Sequence, residues 1–397
     1  GFVRPIDDES LRAAIQAGKL PPAAYFRQLL RLVYRLIFLL TAEERDLLHP
    51  ADATDAAKHL YAEGYSLRRL RERSFRRSAY DRFADLWEGL KIVWRGTAQG
   101  EARLGLPPLG GLFGADQCPD LDQSRLENRA LLGAVFRLAW LPETTGIARV
   151  NWRDMGSEEF GSVYESLLEL EPVLERGGQS FSFAAGSERA ATGSHYTPDE
   201  LVRPLLVHSL DYLIAAKQAE PDPAAALLSL RVADISCGSG HILVAAARRI
   251  AAALATARRG GEQPTPAEFR AALRDTIREC IYGVDLNPLA VELCKVALWL
   301  EAQSPGEPLN FLDHHIKCGN AIVGFLRRED LERGIPDEAF TALSMRTVSH
   351  IQLPFNLLDQ RWREAGVPAA AKARTHARGD LVHQSVERWV CHGSPLV

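Results

Sequence analysis

Between Tyr25 and Leu48 the stretch YFRQLLRLVYRLIFLLTAEERDLL places apolar residues at Leu29, Leu30, Val33, Ile37 and Leu40. That is helical spacing rather than the alternation of a strand, and it predicts a buried helix. Residues 80–94 and 122–140 have similar spacing, while GTAQGEARLGLPPLGGLFG (96–114) and ERGGQSFSFAAGSERAATG (175–193), rich in Gly, Ser and Pro, read as loops. Residues 1–185 are therefore expected to form a mostly α-helical domain, with its boundary in the second loop.

Past that loop the pattern changes. HYTPDELVRPLLVHSLDYLIAA reads as one helix, RVADIS as a strand, GHILVAAARRIAAALATA as a helix, CIYGVDL as a strand, NPLAVELCKVALWLEA as a helix and HHIKCGN as a third strand. Strands alternating with helices of this length mean an α/β unit, a parallel sheet with helices on its faces. Ligands of such sheets bind at the carboxyl ends of the strands.

With 397 residues and 46% hydrophobic content the chain can bury a substantial core. Its longest apolar run, LVYRLIFLL (32–40), is too short to span a bilayer and carries Arg35. No signal-peptide pattern opens the chain, so a cytoplasmic location without membrane contact is expected. The six cysteines include no CxxC pair, which gives no signal for a zinc knuckle or a disulfide framework. A net charge of −4 excludes coating of nucleic acid by bulk charge and leaves room for a local basic face. Arginine outnumbers lysine 40 to 7, and six of the arginines fall in RRLRERSFRR (68–77). That run either meets DNA phosphates or forms a solvated helical face.

Candidate chemistry begins at VADISCGSGHIL (232–243), where an apolar strand enters the turn Cys237 to Gly240 and then a helix. Glycines there let a ligand approach the backbone, and free helix N–H groups favour an anionic group such as a carboxylate or phosphate. Tight strand-to-helix turns also use glycine for steric reasons alone. The second strand ends on Asp285, placed to accept hydrogen bonds from two ribose hydroxyls. Asn287 followed by Pro288 already supplies a helix cap and first turn, which leaves Asp285 free for a ligand. The interval from Gly240 to Asp285 exceeds the usual ~20 residues. An extra helix begun by a capping box at Thr265, Pro266 and Glu268 accounts for the excess.

Tyr196-Thr197-Pro198, DISCGSGH (234–241), GVDLNPLAVELCKVALWL (283–300) and IKCGNAI (316–322), in this order, resemble the N6-adenine DNA methyltransferases of type IIG restriction–modification and phage-defence systems. The helical front end is similar to the segment upstream of that methylase domain, so the resemblance covers nearly all of residues 20–325. It implies a partial Rossmann-like domain over 186–325, a helical, polar spacer over 326–397, and S-adenosylmethionine as cofactor. Tyr196, Thr197 and Pro198 would line the methionine end; Asp234, Cys237, Gly238 and Gly240 would shape the loop around it; Asp285 would hold the ribose. Leu286 would pack on the cofactor's adenine and Asn320 would bond its edge. One departure is Ile235, where the family usually has Pro. Double-stranded DNA, bound through the full-length protein, is the implied partner, with other defence-system subunits as further candidates.

Thr197-Pro198-Asp199-Glu200 is also explained as a capping box, without any ligand. His314, His315 and Cys318 do not suggest a metal, because adjacent side chains on a strand point to opposite faces. An adenine amine is a weak nucleophile, and the family grips it with an Asn or Asp, two prolines and an aromatic residue. LPPA (20–23), LPPL (106–109) and QLPFN (352–356) do not match that pattern, so no catalytic residue is assigned. This chain is expected to be a fragment that binds cofactor without methylating DNA by itself. No lysine has an acidic residue two positions before it, so no metal-dependent nuclease core is read either. The rival readings are a catalytically inactive binding remnant and an NAD-dependent oxidoreductase, the latter disfavoured by a single GxG and by the Tyr196-Thr197-Pro198 helix ahead of the first strand.

Overall fold

The structure, a computed structural model, describes residues 9–144, 146–156, 170–175, 180–185, 197–302 and 308–321. The chain divides into two compact units, Gly1–Cys318 and Gly319–Val397, and only residues 319–321 of the second are described.

The first unit opens with α1 (Glu9–Gln16), α2 (Pro22–Glu44), α3 (Asp55–Gly64), α4 (Leu67–Ser74), α5 (Asp85–Gln99), α6 (Pro119–Gln123) and α7 (Asn128–Ala139). Helix α2 is the predicted buried helix. It starts at a proline, whose missing N–H costs nothing there, and every residue from Tyr34 to Ala42 is buried. A helix apolar all round belongs inside a core. Arg35, fully buried within it, donates to the carbonyls of Leu112 (2.9 Å) and Gly114 (3.2 Å) and to Asp122 (2.8 Å), and lies 5.3 Å from the Trp94 ring centroid. Paired in this way, the charge ties α2 to the loop ahead of α6 and to α6 itself.

Two antiparallel hairpins follow: β1 (Trp140–Glu143) with β2 (Gly146–Arg149), and β3 (Leu170–Glu175) with β4 (Ser180–Ala185). The second corrects the expectation of a loop over 175–193, because Ser180–Ala185 pairs with Leu170–Glu175. Ser180, Phe181, Ser182 and Phe183 carry a polar–apolar alternation that the surrounding Gly and Ser content obscures.

Next come α8 (Asp199–Ser209), α9 (Asp211–Gln218), α10 (Pro223–Leu228), β5 (Val232–Asp234), α11 (His241–Arg258), α12 (Pro266–Cys280), β6 (Ile281–Asp285), α13 (Pro288–Ala302) and β7 (Ile316–Cys318). The single helix expected over the first of these segments is instead two, interrupted at Leu210. The capping box at α12 is present as read, with the Glu268 N–H donating to Thr265 and the Thr265 N–H to Glu268. The strands form a parallel sheet in the order β5-β6-β7, with Asp234 level with Gly283 and Asp285 level with Cys318.

Helix α13 packs on both sides. Leu289, Leu293, Val296, Trp299 and Leu300 join the core built around α2, where Trp299 lies 5.1 Å from Phe38. Val291, Cys294, Ala297 and Leu298 join the core of the sheet with α11 and α12. Polar ties reinforce it: Arg31 of α2 holds Glu292 (3.0 Å), Arg248 of α11 holds Glu301 (2.7 Å), and Lys295 holds Asp313. Burying a Leu-sized side chain is worth roughly 1.5–3 kcal/mol, so the face toward α2 alone contributes on the order of 10 kcal/mol as an upper bound.

Candidate functional site

The turn after β5 is fixed by backbone bonds. The Cys237 N–H extends the parallel pairing by donating to the Val284 carbonyl (3.0 Å), and the Gly240 N–H closes a turn on the Cys237 carbonyl (2.8 Å). Asp234 accepts the Ser236 N–H (3.0 Å). Gly238 and Gly240 have φ of +53° and +88°, a region that favours glycine.

The two glycines do different work. A Cβ on Gly240 would lie 2.7 Å from Cys294 Sγ, so this residue seats the turn on α13. A Cβ on Gly238 would meet nothing within 4 Å, so open ground lies beside the backbone there. Cys237 turns its side chain into the core, and its thiol hydrogen-bonds Cys294. That bond and burial push the Cys294 thiol well above the usual range for a cysteine. Cys237 thus shapes the turn by packing inward.

Asp285, at the carboxyl end of β6, reaches across to the turn. One carboxylate oxygen accepts the Gly238 N–H (2.9 Å) and the other the Asn287 N–H (2.8 Å). The expectation that Asp285 is left free therefore needs correction. Asn287 does cap α13, accepting the Leu289 N–H at 3.0 Å, but Asp285 orients Asn287 in turn. A carboxylate has about four lone-pair sites, so two remain for a ligand. Burial first, and then the charge of Asp285, raise the Asp234 carboxyl above its ordinary value; the Ser236 N–H opposes them. The turn is thus flanked by two carboxylates. Beside them stand two apolar side chains, Ile235 at 65% and Leu286 at 44% exposure.

Thr197 and Pro198 lead into α8, and Pro198 is its N-cap without a side-chain cap bond. The capping-box reading centred on Thr197 is therefore not realised. Asp199 Oδ1 lies 3.5 Å from His241 Nε2, which brings the start of α8 to the start of α11. Sequence gave no sign of this contact, since the two residues lie in separate motifs. Tyr196 falls outside the described residues. Asn320 follows β7 by two residues and belongs to the second unit. His315 stacks on Tyr282 at 4.4 Å and bonds the Ile281 carbonyl through Nδ1 (2.8 Å). Among the described residues no group of three or more His, Cys, Asp or Glu is placed to hold a metal, and no helix is long and apolar enough to cross a membrane.

A sequence profile of the N-6 DNA methylase family matches residues 157–305. A Methanocaldococcus jannaschii protein assigned as a type II restriction enzyme and methyltransferase is 24% identical over 268 residues, covering 55% of this chain and 21% of that protein. Among solved structures, the type IIL restriction–modification enzyme MmeI in complex with DNA matches 78% of this chain and 38% of its own, at a TM-score of 0.45 and 16% identity. The chain thus spans about a fifth of the curated relative's length. The stretch 157–305 that is similar to the N-6 DNA methylase family holds the glycine turn, Asp285 and α13.

Proposed function

We propose that this chain carries the cofactor-binding part of an S-adenosylmethionine-dependent DNA methyltransferase of a restriction–modification system, acting on adenine N6. The observation that carries the reading is the Asp285 carboxylate, held at the carboxyl end of β6 by the Gly238 and Asn287 N–H groups, with two lone pairs left for the vicinal hydroxyls of a ribose. Leu286 offers an exposed apolar face for the attached purine. The open ground at Gly238 admits the sugar and its substituent, and the start of α11 favours the carboxylate of an amino acid. Asp234 adds negative charge where a ligand bearing an ammonium and a sulfonium would sit. In the same reading Tyr196, Thr197 and Pro198 would serve the methionine end.

Bound S-adenosylmethionine would supply an electrophilic methyl group. The residues named here bind and orient it. Activating an adenine amine needs acceptors for its N–H groups and a face for the extruded base. This sequence has no Asn or Asp followed by two prolines and an aromatic residue. We therefore expect this chain by itself to bind the cofactor without turnover. The division into a helical domain (1–185), a cofactor domain (186–325) and a spacer (326–397) belongs to the same proposal.

Isothermal titration of the chain with S-adenosylmethionine and, separately, NAD tests the reading. Saturable binding of the first and none of the second is expected. Preference for NAD, or no binding of either, refutes it. Incubation with tritiated S-adenosylmethionine and genomic DNA should leave N6-methyladenine unlabelled; labelling would reveal an unassigned catalytic segment.

A further inference from the structure

We infer that the arginines at the end of α4 and in the turn that follows form a contact surface for the phosphates of double-stranded DNA. The inference rests on the methyltransferase reading for its partner. The surface itself is defined by what the structure does with the run 68–77.

Of the six arginines, three are engaged within the fold. Arg71 is buried against Glu44, and Arg68 pairs with Glu72 one turn on (3.6 Å). Arg69 bonds the Gly64 carbonyl (2.9 Å). Arg73, Arg76 and Arg77 have no carboxylate partner among the described residues, and Arg76 and Arg77 are exposed. Packing of α4 on α7 adds a further exposed cation, Arg137, near enough to act electrostatically on Tyr80. The acidic groups facing this surface are few. Glu63 and Asp85 act on Arg69, and Asp81 and Asp85 are held by Asn128. In a chain of net charge −4, this is a segregated positive face.

The face is also rigid, which matters because immobilising long side chains and loops costs binding energy. The buried Glu43 accepts the Leu67 and Arg68 N–H groups (2.7 and 2.8 Å) and the Tyr61 hydroxyl (2.6 Å), and so anchors the first turn of α4. Ser66 caps the same turn through the Arg69 N–H (3.2 Å). At the other end Tyr80 donates to the Ser74 carbonyl (2.7 Å). Phe75, half exposed among the arginines, is fixed by Trp140 and Phe136 at 4.5 and 5.7 Å. A membrane partner fits poorly, because Leu67 and Leu70, the apolar residues of α4, are already buried in the core.

The test uses the full chain, a short labelled DNA duplex and a salt titration read by fluorescence anisotropy. The patch variant is Arg73→Ala/Arg76→Ala/Arg77→Ala. The control, Arg27→Ala/Arg103→Ala/Arg270→Ala, removes the same formal charge from three exposed positions elsewhere whose side chains have no carboxylate partner among the described residues. Each lost phosphate contact lowers the slope of log affinity against log salt by about 1, so the patch variant should lose about 2–3 of slope and at least about tenfold in affinity. The control should lose about twofold or less. Equal losses in the two variants, an unaltered patch variant, no duplex binding by the parent chain, or tighter binding to RNA or anionic vesicles than to duplex would each overturn the inference. Titration of both variants with S-adenosylmethionine keeps the two readings apart. Normal cofactor binding with failed DNA results rejects the patch alone, whereas absent cofactor binding in the parent chain rejects the methyltransferase reading.

Discussion

Replacing Asp285 by alanine tests the geometry of the site most directly, because this carboxylate has both a structural and a binding role. The sequence suggests that its loss should weaken ligand binding and leave folding nearly untouched. The structure predicts two losses. The bonds from Gly238 and Asn287 are charge-assisted, worth roughly 1.5–3 kcal/mol each, and partial access of water to the half-buried site reduces the sum to about 2–4 kcal/mol. For a unit of this size a kcal/mol corresponds to roughly 2 °C, so the melting temperature should fall by about 4–8 °C. Affinity for S-adenosylmethionine should fall by about tenfold to a hundredfold at a temperature where the variant is still folded. Asp285→Asn keeps one acceptor oxygen and sets an amide N–H against one of the two backbone donors, so it should fall between alanine and the parent in both measurements. Differential scanning fluorimetry and isothermal titration supply the two numbers. Unchanged affinity in Asp285→Ala would remove the residue from the site. An unchanged melting temperature would show that the two hydrogen bonds contribute nothing and that the turn is held by Cys237 and Gly240 alone.

Three further outcomes follow from the same geometry. The raised Asp234 carboxyl means that folding favours its protonated form, a contribution present below the ordinary value of 3.8 and lost as pH rises through the raised one. Asp234→Asn, which keeps an oxygen for the Ser236 N–H, should therefore be more stable than the parent at neutral pH and lose that advantage in acid, while binding S-adenosylmethionine more weakly; equal stability across a pH series of thermal melts would contradict this. Arg31→Ala and Glu292→Ala, combined in a double-mutant cycle by chemical denaturation, should show a coupling of about 1 kcal/mol, and additivity would mean that the bridge between α2 and α13 contributes nothing. Gly240→Ala should cost about 2–5 kcal/mol of stability, from left-handed strain and the 2.7 Å approach to Cys294, whereas Gly238→Ala should cost only about 1–2 kcal/mol and lose mainly affinity; the opposite ranking would assign the open ground to the wrong glycine.

What was legible in the sequence was whatever depends on neighbours along the chain. The β5–α11 and β6–α13 junctions, the capping box at Thr265 and the buried run of α2 all rest on local spacing. Asp234, Gly238, Gly240 and Asp285 do meet at the carboxyl ends of β5 and β6, which follows from parallel strands placing those ends together. The β3–β4 hairpin was missed because four residues of alternation are a weak signal inside a segment rich in Gly and Ser. The break at Leu210 lay within a stretch that keeps its helical periodicity on both sides, so no composition cue marks it.

The second carboxylate bond of Asp285 and the inward turn of Cys237 were illegible for a different reason. Each depends on a partner from another element, 47 residues away for Gly238 and Asp285. The double role of α13 shows how such facts still leave a trace. Its apolar residues are too numerous for one face: Leu289, Leu293, Val296 and Leu300 complete one stripe, and Val291, Cys294 and Leu298 a second. One stripe would serve a helix lying on a sheet with water beyond it. Two require a second apolar body, and the α2 core, with Phe38 against Trp299, is that body. The helix that begins just beyond Asp285 is thereby clamped from both sides, and Gly240 rests against its Cys294. A helical front end packed in this way does more than precede the sheet. It fixes the position of the residues on which the cofactor turn is built, so a substitution in the α2 core should reach the ligand site through α13 without touching the ligand.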